Sequence, residues 1–336
     1  MLALRPRAAG AAIAFAVSLS AATAALAQGQ RMEIATLPTG SVANSAGTAI
    51  AALLSQKLNW TVLATPYAGQ QVLIPMVNRG EAAMTLINVG DSDQAYRGVQ
   101  PFYKEAHKNL RLISVGYENR SIVLTTVKAG IKSMAELKGK RVTGVFSAHQ
   151  TCKDLADAAF ANAGLKWDDV RVVPVTSAVT GVQAVGEGRA QVTSCAAVGM
   201  GAVREVNARD PVRFVSIDPD PAAMKRARDI FPGLRPITMK AGSAEGVVDD
   251  TVIFGYDFYL VGHKGLADDV VETIVKTLHD NVPDLVQANR LFATWKPERM
   301  GDPDVTLPYH PGAIKYFKST NAWTAENDKT QKALTN

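Results

Sequence analysis

Two strings of small and polar residues stand out, Pro38-Thr39-Gly40-Ser41-Val42-Ala43-Asn44-Ser45 and Ser147-Ala148-His149-Gln150-Thr151-Cys152. Hydroxyls, amides and an imidazole at this density can exchange hydrogen bonds with a small solute. Each string runs straight into a segment with helical spacing. A helix start carries backbone N–H groups without intrahelical partners and the positive end of the dipole. Two such starts aimed into one cleft form a site for a carboxylate. Thr39, Ser41, Asn44, Ser147, His149, Gln150 and Thr151 are the candidate contacts. The plainer role for Ser45 and Thr151 is to cap their helices, as these residue types commonly do.

Further candidates lie elsewhere. In Asn88-Val89-Gly90-Asp91-Ser92-Asp93, polar groups end an apolar run, so Asp91 and Ser92 can meet a ligand while Asp93 caps a helix from Gln94 onward. In Tyr117-Glu118-Asn119-Arg120, the guanidinium of Arg120 can clamp a carboxylate bidentately or pair with Glu118 on the surface. Tyr117 and Tyr256 complete the candidate set. His149 and Cys152 stand three apart at a helix start, where a thiol pKa can fall. A Cys–His nucleophile would still need an orienting acid and an oxyanion donor, and no residue pattern marks either. The other cysteine is Cys195, so a structural disulfide and two buried thiols are both open. Two cysteines and five dispersed histidines match no metal-ligand spacing, and no cofactor is expected. The chain lacks G-x-x-x-x-G-K-[ST], G-x-S-x-G and H-E-x-x-H, and has no G-x-G-x-x-G after a strand.

The elements that must position these residues alternate short β-branched runs with longer helical stretches, the signature of α/β units on a mostly parallel sheet. Strands are predicted over 32–37, 60–65, 83–89 and 110–117, with helices over 45–58 and 70–79. The grammar then restarts, with strands over 122–127, 141–146, 170–175, 191–195 and 213–217. Helices are predicted near 134–138, from a Ser133/Glu136 capping box, over 153–163 and near 179–185. After Asp218 the rhythm fades until the β-forming run 251–261, and helices follow over 267–278, 282–291 and 311–318. Two similar α/β lobes are implied, residues 28–119 with 258–336 and residues 120–257, joined by crossing segments near 117–122 and 254–259.

Ahead of the first strand, Arg5 and Arg7 precede an apolar run from Ala8 to Leu19 and the triplet Ala25-Leu26-Ala27. This order is that of a secretory signal peptide cleaved before Gln28. Cleavage leaves 309 of 336 residues and lowers the formal charge from +5 to +3. That length suits two domains. The remaining charges form no basic block with interleaved aromatics, so nucleic acid is not an expected partner.

The residues also resemble a family, the TAXI-type solute receptors of tripartite ATP-independent periplasmic (TRAP) transporters. The likeness runs from about Ile34 to Lys318. It is carried by Leu37-Pro38-Thr39-Gly40-Ser41, Ser92-Asp93-Gln94-Ala95-Tyr96, Gly130 to Val142, Ala163-Gly164-Leu165 with Asp168-Asp169-Val170, and above all His310-Pro311-Gly312-Ala313-Ile314-Lys315-Tyr316-Phe317. It implies the type II periplasmic binding-protein fold, two α/β lobes around a ligand cleft with a two-segment hinge. It implies too a periplasmic, non-enzymatic receptor that hands a small organic anion, a carboxylate or amino acid, to a membrane permease without ATP. A monomer is expected. Three segments depart from the family pattern: Val42 to Gly47 replaces a glycine-rich, tyrosine-bearing loop, Ser147 to Thr151 a Gly-Ser-Gly-Thr-like turn, and Ser194-Cys195-Ala196-Ala197 a more aromatic stretch. The resemblance therefore speaks to the receptor more than to its ligand. Two alternatives keep the leader but change the output: a receptor feeding a membrane sensor, and a periplasmic enzyme using Cys152 and His149.

Overall fold

The computed structural model describes residues 30–99, 103–231 and 233–336. The expected leader, residues 1–27, lies outside them. The first half opens with β1 (Arg31–Thr36), α1 (Val42–Leu58), β2 (Thr61–Pro66), α2 (Gln70–Arg79), β3 (Met84–Asn88) and α3 (Val89–Arg97). The long strand β4 (Leu110–Thr126) leads into β5 (Arg141–Val145), α4 (Gln150–Asn162), β6 (Arg171–Val175), α5 (Ala178–Gly186), β7 (Val192–Ala197) and α6 (Gly201–Asn207). Then come β8 (Val212–Phe214), α7 (Pro221–Ile230), β9 (Arg235–Met239) and a second long strand, β10 (Thr251–His263). The chain ends in α8 (Asp268–Asp280), α9 (Val282–Ala288), α10 (Pro311–Ser319) and α11 (Ala325–Thr335).

The sheet explains the repeated grammar. Its order is β2-β1-β3-β10-β4-β7-β5-β6, with β8 on β4 and β9 on β10. β1 pairs in parallel with β2 and β3, and β5 pairs in parallel with β6 and β7. The two parallel triplets are joined by β4 and β10, which run antiparallel to each other through the middle. This is the two-lobe α/β architecture of type II periplasmic binding proteins. Both triplets turn their carboxyl ends, where open parallel sheets bind ligands, toward helix starts.

Several expectations change. Residues 117–122 do not separate two strands, because Glu118 to Ser121 stay in register with Phe254 to Asp257 and β4 runs on through one register shift between Val115 and Glu118. The expected capping box at Ser133 is absent. The stretch Met134–Leu137 is a 3-10 turn without a side-chain cap, and Glu136 instead accepts from the Lys132 N–H at 2.7 Å. Asp93 caps nothing: α3 begins at Val89 with Asn88 as its cap, and Asp93 pairs with Arg97 one turn on. The segment after Asp218 holds α7 and β9, with Asp220 accepting from the Ala222 and Ala223 N–H groups and Pro221 in the first turn. That Asp-Pro start is a helix signal of ordinary kind. Helices α6 and α11 also lie outside the predicted set.

Candidate functional site

The first corner follows β1. Ser41 is the N-cap of α1, and its Oγ accepts from the Asn44 N–H at 3.1 Å. The helix thus starts three residues earlier than the hydrophobic spacing alone suggests, and Ser45 sits inside it. Val42 and Ala43, whose N–H groups a helix leaves without intrahelical partners, face a cavity between the lobes. The second corner follows β5. His149 takes the N-cap position of α4 without a side-chain cap bond. Its Nδ1 accepts from the Ala178 N–H at 3.4 Å, where α5 begins. Burial pushes the His149 pKa down to about 4, so the ring is neutral at neutral pH. With Nδ1 accepting, the ring proton sits on Nε2.

The cavity between these corners measures about 40 Å³. That is room for a few atoms and far below the usual size of a drug-like ligand site. Ser41, Val42, His149, Thr151, Ala178, Cys152, Cys195 and Met200 wall it from the corners and β7; Asn119, Ser121, Tyr256 and Phe258 wall it from the crossing strands. No Lys, Arg, Asp or Glu is among its lining residues. A wider groove of about 480 Å³ opens beside Arg31, Thr61 and His263. It sits at the amino ends of β1 and β2, the side of a parallel sheet where ligands are not expected. The smaller cavity is the candidate site.

Of the residues singled out by sequence, Ser41, His149, Thr151 and Tyr256 reach this cavity together, and so do Cys152 and Cys195. The two sulfurs are joined in a disulfide, with the Cα atoms 5.4 Å apart, which pins the first turn of α4 to β7. The Cys–His alternative thereby has no free thiol. The other candidates stand elsewhere, each for a visible reason. Thr39 and Ser147 are exposed in the turns. Asn44 points back to β1, donating to Thr36 Oγ1 at 3.0 Å. Ser92 binds the Val89 carbonyl and Thr306. Tyr117 is fully buried, stacked on Phe258 with centroids 5.0 Å apart and flanked by Phe292 and Trp295. Arg120 lies on the opposite face of β4 and pairs with Glu118 at 3.0 Å. Glu118 and Asp257 also bind Arg235, and Asp257 binds Arg299, in an ion network behind the crossing strands. Burial would raise the Asp257 carboxyl, yet Arg299 and Arg235 hold it below its ordinary range.

Asp91 and Gln150 belong to a buried polar seam that joins the lobes beside the cavity. The Asn88 amide donates to Thr151 Oγ1 at 2.7 Å and to Asp91 at 2.9 Å, and the single Thr151 hydroxyl proton has Gln70 Oε1, at 3.0 Å, and Asp91 as its acceptors. Gln94 and Gln150 donate to Asp154 at 3.1 and 2.6 Å. Thr151 is thus no helix cap but the second lobe's bolt into the first. Burial pushes the Asp91 carboxyl up to about 7, against the hydrogen bonds from Thr151 and Asn88. Nearby backbones touch: the Ala202 N–H donates to the Gly40 carbonyl at 3.2 Å. A Cβ on Gly69 would lie 1.4 Å from the Ala148 carbonyl oxygen, so only glycine fits where the lobes meet.

Asn119, Ser121 and Phe258 escaped the sequence reading. Strand alternation could have found them, since Asn119 and Ser121 share the face of Tyr117. An Asn inside a strongly β-forming run is itself a signal, because strands are depleted in Asn.

The comparisons agree with this architecture. A periplasmic transporter structure superposes with a TM-score of 0.58 at 14% identity, covering 90% of this chain and 96% of that one. MatC of Rhodopseudomonas palustris, solved with bound malate, gives 0.55 at 14% identity over 90% and 99%. The ligand-binding component of an ABC-type import system from Staphylococcus aureus, solved with zinc, gives 0.51 at 12% identity over 91% and 99%. The fold, with its interlobe cavity, is that of the periplasmic binding proteins. Residues 34–320 match the NMT1-like family, and the chain belongs to it. Among curated proteins none matches the sequence significantly.

Proposed function

We propose that the protein is an exported solute receptor that captures a small organic anion between its lobes and delivers it to a TRAP-type permease, as TAXI-type receptors do. The observation that carries this reading is the convergence of the α1 and α4 starts, one from each lobe, on a cavity that offers an anion N–H groups and a neutral imidazole. Ser41, His149, Thr151 and Tyr256 are the side chains assigned to it. The lobes are taken as residues 28–119 with 258–336 and residues 120–257, closing by hinge bending along β4 and β10. The leader is assigned to export, with the mature periplasmic chain starting at Gln28 and acting as a monomer. Among the described residues no helix is long and apolar enough to cross a membrane. The disulfide suits an oxidising compartment.

The test is mass spectrometry of small molecules released from natively purified protein, followed by thermal-shift titration of the acids found. A ligand at a hundred times its Kd adds about 2.7 kcal/mol of stability. A protein that releases no acid and is stabilised by none would sink the receptor reading. Ligand converted rather than returned intact would favour an enzyme instead, one that does not use the disulfide-bonded Cys152 as nucleophile.

A further inference from the structure

The geometry at the crossing strands points to Asn119 Oδ1 as the atom that selects the ligand, and to a short hydroxycarboxylate as the class it selects; this rests on the anion reading above. Asn119 is 5% exposed, lines the cavity, and its Oδ1 has no hydrogen-bond partner. The direction of the hydrogen bonds around it fixes which amide atom is free. Ser121 commits its hydroxyl proton to the Ala196 carbonyl at 2.8 Å. Asn119 donates Nδ2 to the Tyr256 hydroxyl at 2.7 Å. That bond occupies the nitrogen side of the amide and leaves Oδ1 as a buried acceptor awaiting a donor.

The other wall supplies donors. Val42 and Ala43 bring N–H groups from the α1 start. His149 brings Nε2–H, since Nδ1 already accepts from Ala178. A ligand that satisfies both walls carries a carboxylate at the donor side and a hydrogen-bond donor on a nearby carbon for Asn119. A hydroxyl meets that need at less cost than an ammonium. With no carboxylate lining the cavity, an ammonium would be desolvated without a counter-charge. The volume of about 40 Å³ favours the three-carbon acids over the four-carbon ones. Bare and keto acids leave Oδ1 unpaired, an omission that costs about tenfold or more in affinity.

Calorimetric titration with two matched sets tests this: lactate, alanine, propionate and pyruvate, then malate, aspartate and succinate. The expected result is binding of lactate or malate at least about tenfold tighter than the bare, keto and amino acids of its set. Asn119→Leu should erase the gap between the hydroxy and the bare acid. Asn119→Asp keeps the shape, guards against a folding defect in the first variant, and should move the preference toward the amino acid. Equal binding of hydroxy and bare acids by the natural protein overturns the inference and leaves the anion reading standing. So does a preference for alanine or aspartate, or an order unchanged in Asn119→Asp. Binding of none of the seven acids overturns both.

Discussion

The two corners that face the cavity are built on different terms. At the first, Gly40 takes the left-handed turn at φ +88 and Ser41 caps α1 through its own side chain, so local chemistry suffices. At the second, Val145 and Phe146 stand in the left-handed region at φ 70 and 46 with no glycine between them, and His149 provides no cap bond. A β-branched residue at positive φ is a genuine outlier. Such backbone persists where surroundings over-determine it, and it clusters at binding sites. Here the restraint is tertiary: the Cys152–Cys195 bond to β7 and the Thr151 bolt to Asn88 and Asp91. One corner folds itself, and the other is held.

Removing the restraint should therefore have the largest effect. Replacing both cysteines by alanine opens a link across a separation of 43 residues and is expected to lower stability by about 3 kcal/mol. Urea unfolding of the double variant against the oxidised protein measures this. Ser41→Ala provides the contrast. A loss below about 1 kcal/mol in the cysteine variant would show that the second corner also holds by itself.

The next effect is a pH dependence with two opposed contributions. The folded pKa of Asp91, about 7, lies above its ordinary 3.8. Its contribution to stability is whole below pH 3.8 and is lost as pH rises through 7. The folded pKa of His149, about 4, lies below its ordinary 6.5, so its contribution is whole above 6.5 and is lost as pH falls through 4. Asp154 and Tyr103 face Asp91 without neutralising it, and the Asp154 carboxyl is itself raised, chiefly by burial. Asp91→Asn should remove the fall between pH 5 and pH 8, making the variant relatively more stable at pH 8 by about 2–3 kcal/mol. Parallel melting curves of the two proteins across that range would contradict the buried-seam account.

Ser41→Ala comes third, at about 1 kcal/mol, the ordinary cost of a lost N-cap. Chemical denaturation detects it, and a loss above about 2 kcal/mol would mean that the first corner too depends on partners outside its helix.

The same contrast explains what the sequence reveals. The repeated strand, loop, helix grammar made both lobes and both corners legible, because periodicity and turn residues are local signals. Ser41, His149 and Thr151 stand in those corners and line the cavity. The roles of Asp91, Arg120 and Tyr117 were not legible, because they depend on which face of a strand or helix meets which neighbour. Arg120 and Asn119 are adjacent in the chain and lie on opposite faces of β4, one in an ion network and the other at the cavity. Only the pairing of β4 with β10 decides between them. Likewise Thr151 looked like a cap, since nothing nearby in sequence announces Asn88 as its partner.

The smallest effect is the most direct probe of the held corner. Val145 is 55% exposed, so its side chain contributes little packing, while its backbone at φ 70 disfavours any β-branched residue. Val145→Gly removes the steric cost of the left-handed conformation but adds chain entropy to the unfolded state. Relief of about 1–2 kcal/mol against an entropic cost of about 0.5–1 kcal/mol leaves a net gain between zero and about 1.5 kcal/mol, centred below about 1 kcal/mol. The variant should thus be slightly more stable to urea with an unchanged m-value. In the cysteine-free background the gain should persist or grow, because an unpinned corner has less to hold a strained backbone in place. A loss of more than about 1 kcal/mol there would mean that Val145 stabilises the corner through its side chain, and the division into a self-sufficient corner and a restrained one would no longer stand.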